Sequence, residues 1–502
     1  MADRTVVLGE QQILGARDQS AKPWGTYYLL ERGTAGPLTR LSPCRDRWLT
    51  SPRHCVPDAG GERRDGEAAH RMKRRETTER MRIVFLLHNA YAIGGTVRTT
   101  LNLATALAGR HDVEILSMRR HRDEPRFTVD PRITIIPLVD ERDGSQDLTN
   151  PSYAQPAVDF PASDKRYEQY TRLTDLRARD HLAACDADVV IGTRPGINVY
   201  VARFAPRRAL RIAQEHLRHD SHSKRLRGVL ARAYRSLDAV VTTTEADAEV
   251  YRQRMPLPGV RVAAVPNMVP APVGITRDDT TKVITTAGRL VRGKRFDLLI
   301  EAFSAVASKE PDWQLRIFGG GPEREHLQHL IDGLGLAGHA RLMGPRTPIE
   351  AEFARSAMVV SASDAESFGM TLVEAMRCGV PVISTDCPLG PAEIITDGVD
   401  GRLVPVGDAR SLAEAMLDLI TDDPLRHAMG EAALRSSHRY DADPIVDRYE
   451  ALFTELRATR ARRAWTRTRS RALNWARRQP HRFRRTTNTR TPTINSTRPT
   501  GP

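Results

Sequence analysis

The chain has 502 residues, about three average domains on length alone, and its 76 Lys+Arg against 62 Asp+Glu leave a surplus of 14 positive charges. The surplus sits at the ends: residues 457–502 hold 14 Arg and no acid, residues 1–80 carry net +4, and the 376 residues between carry net −4, which argues against a nucleic-acid-binding body with a basic stripe of its own. No apolar run reaches 18 residues, so no transmembrane helix is expected; the five cysteines (Cys44, Cys55, Cys185, Cys378, Cys387) form no C-x-x-C pair and argue for reduced thiols over a disulfide scaffold or zinc site.

Residues 1–80 show no sustained period of 2 or 3.6 and end in the charged run RMKRRETTERM. They contain Asp3 and Glu10 but no apolar stretch of a secretory signal. This segment reads as a disordered extension or an over-extended gene start, with Met72 and Met81 as alternative starts.

From Met81 the pattern changes. Arg82–Leu87 (RIVFLL) predicts a buried strand, Gly94-Gly95 a loop, and Val97–Ala108 a helix with Leu101, Ala104 and Leu107 on one stripe. Strands follow at Val113–Met118, Ile133–Leu138, Val189–Gly192, Leu210–Gln214, Ala239–Thr243 and Val262–Pro266, with Asp140–Tyr167 as an inserted polar loop. Pro270–Thr281 reads as a hinge, after which the rhythm restarts. Strands are predicted at Lys282–Ala287, Trp313–Phe318, Ala340–Met343, Met358–Ser361 and Val382–Ser384, and helices at Arg295–Val306 and Glu323–Leu334. Pro444–Leu456 is the last amphipathic helix of the body. Strands alternating with helices predict an α/β architecture of two doubly wound parallel sheets. The expected organisation is an extension over 1–80, Rossmann-like domains over 81–270 and 271–435, a helix packing back over 436–456, and an Arg-rich tail over 457–502. In such sheets ligands bind beyond the carboxyl ends of the strands, here in the cleft between domains.

Three features of the second half point to one kind of ligand. Gly288-Arg289 with Lys294 places two cations between a strand and a helix, which suits a diphosphate; a solvated basic turn is the plain alternative. Gly319-Gly320-Gly321 follows a strand and lets backbone approach a ligand closely, with an ordinary turn as the alternative. No G-x-G-x-x-G stands in place for a nicotinamide nucleotide. The third is Glu366-Ser367-Phe368-Gly369-Met370-Thr371, continuing to Glu374. Ser367 is expected to cap a helix starting near Phe368, whose free N–H groups form an anion site. Glu366 and Glu374 would then accept hydrogen bonds from sugar and ribose hydroxyls, unless they are two surface glutamates.

The E-x7-E spacing of Glu366 and Glu374, within SASDAESFGMTLVEAMRCGVPVIS, resembles the signature of retaining glycosyltransferases of family 4, which have the two-domain GT-B fold. GGGPER and DCPLGPAEIITDGVDGRLVPVGD are similar to that family's second glycine turn and donor-domain ending, and Gly94-Gly95, His216 and Pro266-Asn267 fit family positions in the first half. The likeness covers Met81 to Leu456 and leans toward members that build cell-envelope glycans or decorate polyol-phosphate polymers. It implies a nucleotide-sugar donor, UDP- ahead of GDP-, with base choice near Gly344–Thr347. Arg289 and Lys294 would hold the diphosphate, Glu366 the sugar and Glu374 the ribose. Gly94, Gly95, Gly319, Gly320, Ser367, Phe368, Gly369, Met370 and Thr371 would line the donor site, and His216 would face the sugar or else be a packed histidine. No general base is implied and no metal or other cofactor. Asp186-Ala187-Asp188 and Asp441-Ala442-Asp443 are read as structural.

The acceptor expected is a glycan, lipid-linked sugar or polyol-phosphate chain. In the tail, Ala458, Ala461, Trp465, Ala472 and Ala476 recur at roughly helical spacing among arginines, with Trp475 as a second aromatic. A cytoplasmic enzyme peripheral on the inner face of the membrane through this tail, and a solvated tail, both remain open; nucleic acid is the less favoured partner. Rival readings of the whole are a GT-B synthase of soluble carbohydrate metabolism and a tail-driven, non-enzymatic binding protein.

Overall fold

The structure is a computed structural model that describes residues 5–8, 11–14, 80–278, 280–477 and 501. Thr5–Leu8 pairs antiparallel with Gln11–Leu14, Thr5 opposite Leu14, a short hairpin where no regular structure was expected. The rest of the extension, with Cys44 and Cys55, lies outside the described residues, as do residues 478–500 of the tail.

The first sheet starts with β1 (Arg82–Leu87), whose last five residues are all buried. Such unbroken apolar strands belong to parallel sheets covered on both faces. It continues with β2 (Asp112–Ser117), β3 (Thr134–Pro137), β4 (Val189–Gly192), β5 (Leu210–Glu215), β6 (Ala239–Thr242) and β7 (Arg261–Ala264). All seven strands are parallel, in the order β3-β2-β1-β4-β5-β6-β7. The covering helices are α1 (Gly95–Ala108), α2 (Arg172–Ala184), α3 (Pro195–Phe204), α4 (Lys224–Ala233) and α5 (Glu245–Arg254). Their starts follow capping chemistry: Thr171, Ser223 and Thr244 each accept a backbone N–H three residues on. Between β3 and α2 the polar insertion carries two short 3-10 turns, Gln146–Thr149 and Tyr167–Gln169.

The second sheet holds β8 (Val283–Ala287), β9 (Gln314–Phe318), β10 (Ala340–Gly344), β11 (Met358–Ser361), β12 (Val382–Thr385) and β13 (Gly401–Val404). They are parallel in the order β10-β9-β8-β11-β12-β13. Helices α6 (Phe296–Lys309), α7 (Arg324–Gly333), α8 (Glu350–Phe353), α9 (Met370–Arg377), α10 (Pro391–Ile394), α11 (Ala409–Thr421) and α12 (Asp423–Ser437) cover it. Both sheets reverse direction of winding once, between β1 and β4 and between β8 and β11. Those reversals are where a doubly wound sheet opens a crevice for ligand.

After α12 the chain returns to the first domain. Helix α13 (Ala442–Ala458) buries Ile445, Val446, Tyr449, Leu452, Phe453 and Leu456 in one cluster with Ile83, Phe85 and Ile115. The Tyr449 hydroxyl accepts a 2.8 Å hydrogen bond from Gln214 Nε2.

The tail begins as helix α14 (Arg460–Arg477), docked on the first domain through part of its arginines. Buried Arg463 donates to Asp238 Oδ1 at 2.8 Å and to the Leu456 carbonyl at 2.7 Å. Arg467 donates to the Leu237 and Gly259 carbonyls, and Arg460 to the Arg208 carbonyl at 2.6 Å. A solvated, disordered tail is therefore not what residues 460–477 form. Asp238 and Gly259 precede β6 and β7, so α14 sits at the amino ends of the strands, away from the crevice.

Candidate active site

The loops at the two sheet reversals supply the predicted residues. On the first domain, the turn after β1 leads into α1 with Gly94 and Gly95, where an added Cβ would meet nothing within 4 Å. The segment after β5 brings His216. These three and Arg289, which follows β8, line one cavity of about 940 Å³. Arg289 is exposed, and no ion pair to it exists among the described residues. His216 Nε2 is buried without a hydrogen-bond partner among the described residues, and burial lowers its pKa to about 4, so it is neutral at physiological pH.

Of the residues predicted in the second domain, Arg289 is in that lining; Lys294 lies against Gly288 beside it, whereas Glu374 is outside the lining and Phe368 lines a separate pocket with Thr243, Glu393 and Tyr440. Lys294 ends a short 3-10 turn and its ammonium contacts Glu366 Oε1. That same oxygen accepts from Ser363 Oγ at 2.7 Å, so the carboxylate expected to face sugar is oriented by two donors. Thr371 Oγ1 approaches the Ala287 carbonyl at 3.4 Å, tying α9 to the end of β8. Phe368 is buried and stacks edge-on against Tyr440 at 5.6 Å, and Met370 packs on the same cluster.

Two local expectations are corrected. Ser367 does not cap a helix: α9 begins at Met370 with Gly369 as its N-cap, in the left-handed region at φ +109° and with no side-chain cap bond. A serine cannot hold that φ without strain, so glycine occupies the cap, and the Ser367 carbonyl instead accepts from Thr243 Oγ1 of the first domain at 2.7 Å. The glycine turn also works differently from its expected close approach to ligand. A Cβ on Gly319 (φ +147°) would lie 1.8 Å from the Gly288 carbonyl oxygen, and one on Gly321 2.3 Å from the Leu290 oxygen. These two glycines let the turn after β9 pack on the Arg289 loop, and only Gly320 is open.

Glu374 is buried and its Oε1 lies 3.1 Å from Nη1 of Arg98, on α1. The other guanidinium nitrogen of Arg98 contacts Glu350 Oε1 at the start of α8. Burial raises the Glu374 pKa to about 7, Arg98 pulling it down and Glu350 pushing it up. Sequence reading missed Arg98 and Glu350, although Arg98 stands three residues after Gly95. It also missed His88 at the end of β1, whose Nδ1 is 2.8 Å from the Tyr170 hydroxyl and whose pKa burial and three arginines lower to about 2.

Both D-x-D pairs sit in ion pairs. Asp188 accepts from the Arg82 backbone N–H and from Arg457, both at 3.0 Å, and Asp186 contacts Arg82. Asp441 pairs with Arg377 and His438, and Asp443 with Arg110 at 2.7 Å. Among the described residues no group of three or more His, Cys, Asp or Glu is arranged to hold a metal.

Known proteins place this geometry. Residues 93–271 match the family described as Glycosyltransferase Family 4, and residues 272–436 match Glycosyl transferases group 1. An exopolysaccharide phosphotransferase of Streptomyces coelicolor is 38% identical over 391 residues, which are 75% of this chain and 41% of that protein. A poly(ribitol-phosphate) alpha-N-acetylglucosaminyltransferase of Staphylococcus aureus is 29% identical over 175 residues, 35% of this chain and 36% of that protein. The chain thus spans less than half the length of either relative. The crystal structure of a Staphylococcus aureus TarM variant in complex with fondaparinux, alpha-GlcNAc-glycerol and UDP superposes with a TM-score of 0.60 at 16% identity, covering 74% of this chain and 99% of that one. Two parallel doubly wound domains of the GT-B type, joined family matches over residues 93–436 and the Glu366–Glu374 spacing agree: the chain belongs to the group 1 and family 4 glycosyltransferases.

Proposed function

We propose that this protein is a retaining glycosyltransferase that moves a hexose or N-acetylhexosamine from a UDP-sugar to a cell-envelope glycan, lipid-linked sugar or polyol-phosphate chain. The observation that carries the reading is the convergence of the two sheet reversals: Arg289 from the second domain and Gly94, Gly95 and His216 from the first line one cavity, and Lys294, paired with Glu366, lies against Gly288 next to Arg289. The UDP bound to TarM and the ribitol-phosphate polymer named for the other staphylococcal relative support the donor and acceptor classes.

In this reading the acceptor hydroxyl oxygen bonds to the anomeric carbon on the face from which the diphosphate departs. The bond from that carbon to the phosphate oxygen breaks, its electron pair stays on UDP, and the hydroxyl proton passes to the departing phosphate. Arg289 and Lys294 offset the charge that grows on the leaving group, and the free N–H groups at the start of α9 add to them. Glu366, already oriented by Lys294 and Ser363, accepts from sugar hydroxyls. With charge handled by side chains, turnover persists in EDTA. The test is transfer from labelled UDP-sugars to polyol-phosphate and glycan acceptors, with the anomeric configuration of the product read by NMR. Arg289→Ala is expected to lower kcat by roughly 10²–10³; an inverted product, or loss of turnover in EDTA, contradicts the mechanism.

We also propose a peripheral seat on an anionic cytoplasmic membrane face. No helix among the described residues is long and apolar enough to cross a membrane. The outer side of α14 nevertheless exposes Trp465 (62%) and Leu473 (53%), and Arg469 lies over the Trp465 ring at 5.3 Å. Interfacial tryptophans with arginines suit a headgroup layer, each arginine adding about 1 kcal/mol near the surface. Sedimentation with phosphatidylglycerol vesicles is expected for the wild type and lost in Trp465→Ser with Trp475→Ser; equal binding by both contradicts it.

A further inference from the structure

The same cavity holds more positive charge than a donor diphosphate accounts for. Besides Arg289, its lining includes Arg119, Lys165, Arg166 and Arg194, against the single carboxylate of Asp164. Arg119 is neutralised by a two-pronged pair with Glu141 at 2.8 and 2.7 Å. Arg166 is not, and Arg194 shares its one carboxylate with other donors. The guanidinium of Arg166, delivered by the end of the polar insertion, donates among the described residues to two neutral acceptors, Gln169 Oε1 at 2.9 Å and His88 Nε2 at 3.2 Å. Arg194, in the loop after β4, reaches Asp164 at 3.4 Å. That carboxylate already accepts the backbone N–H groups of Arg166 at 2.9 Å and Gly196 at 3.1 Å.

A second observation is independent of charge. Arg194 Nε and Ser163 Oγ, both in the lining, are buried with no hydrogen-bond partner among the described residues. A buried donor left unpaired costs stability, and natural proteins retain such donors where something else completes them. Burial and the charge of Arg194 also lower the Arg166 pKa below the ordinary arginine value, against the opposing pull of Asp164.

We propose that Arg166 and Arg194, with Lys165 at the mouth, form a phosphate-binding subsite for the acceptor, so that the sugar is transferred to a hydroxyl next to a phosphate ester. The inference rests on the glycosyltransferase reading above and makes the acceptor phosphorylated. Two guanidinium forks from different loops match a group with several oxygens directed tetrahedrally. Their position at the carboxyl ends of the first sheet puts that phosphate opposite Arg289, where an adjacent hydroxyl can meet the donor.

The test is calorimetric binding to the full chain in the presence of UDP. The probes are glycerol 3-phosphate and ribitol 5-phosphate against glycerol and ribitol, and octyl glucosyl phosphate against octyl glucoside. Each phosphorylated probe is expected to bind at least tenfold more tightly than its neutral counterpart. Whichever pair shows the larger ratio separates a polyol-phosphate from a lipid-phosphate source. Arg166→Gln and Arg194→Gln should each remove most of the ratio, and Arg194→Lys should restore part of it. The thermal shift given by UDP reports in every variant that the fold and donor site persist. A ratio below twofold in the wild type, or one unchanged in both glutamine variants, overturns the subsite. A preserved ratio with no UDP shift in the wild type would instead remove the donor reading and leave the phosphate site standing.

Discussion

Arg98 is the side chain through which α1 of the first domain meets the second. Its guanidinium holds two buried carboxylates, Glu350 and Glu374, that would otherwise face each other without a cation. Removing one partner of such a buried set leaves uncompensated charge, which typically costs about 3–5 kcal/mol. Arg98→Met is therefore expected to lower the urea midpoint strongly, and the further change Glu350→Gln to recover part of the loss. An Arg98→Met protein as stable as the wild type would show that the pairing carries no weight. The acid limb of stability belongs to the same scale. Burial holds His88 and His216 neutral, at about 2 and about 4 against an ordinary 6.5. Below pH 6.5 the unfolded chain binds protons at these positions that the folded chain refuses, so stability falls as pH falls. Each histidine contributes a slope of about 1.4 kcal/mol per pH unit. Glu374 has the opposite sign. Its proton is retained in the folded chain up to about 7, so its contribution is present at low pH and lost as pH rises from 4.5 toward 7. Urea titrations between pH 6.5 and 4.5 are expected to show a shallower acid limb for His216→Asn than for wild type; an unchanged slope contradicts the assignment.

At the scale of the element, the turns after β8 and β9 act as one unit. Gly319 passes so close to the Gly288 carbonyl that a methyl group cannot be fitted without moving backbone, whereas Gly320 faces open space. Gly319→Ala is expected to cost about 3 kcal/mol or more and to displace Arg289, and Gly320→Ala to stay within about 1 kcal/mol. Thermal melts of the two variants separate packing from ligand contact, since equal losses would mean that the turn has no such asymmetry. These elements also show what was legible beforehand. Buried parallel strands such as Arg82–Leu87 and Met358–Ser361 are unbroken apolar runs, and their limits were read correctly. The Lys294–Glu366 contact joins two residues that were each read from short loops after strands. The cap at Gly369 was misread because Ser367 has the chemistry of an N-cap, while the backbone there needs a positive φ. Arg98–Glu350 could not be read, because the partners lie 252 residues apart and only the packed domains bring them together. The insertion over Asp140–Tyr167 gave no sign that Arg166 points into the cavity, since a single arginine in a polar loop carries no period.

For the whole molecule, the distribution of charge has a structural meaning. The body between residues 81 and 456 has slightly more acid than base, yet its cavity is strongly basic because the arginines after β2 and β4 and in the insertion converge there. The tail arginines divide: Arg460, Arg463 and Arg467 hold α14 to the first domain, whereas Arg469 lies over the exposed Trp465 ring. Helix α13 meanwhile closes the first domain's core, so the first sheet depends on sequence that follows the second domain. The central proposal is that the cavity binds a nucleotide sugar through Arg289 with Lys294 beside it. The most direct measurement is thermal stability of the full chain across UDP- and GDP-sugars, alongside Arg289→Ala and Lys294→Ala. A ligand at 100 times its Kd adds about 2.7 kcal/mol. The account predicts a shift with uridine nucleotides that both variants lose; no shift with any nucleotide sugar from folded protein, or a shift that survives in both variants, would contradict it.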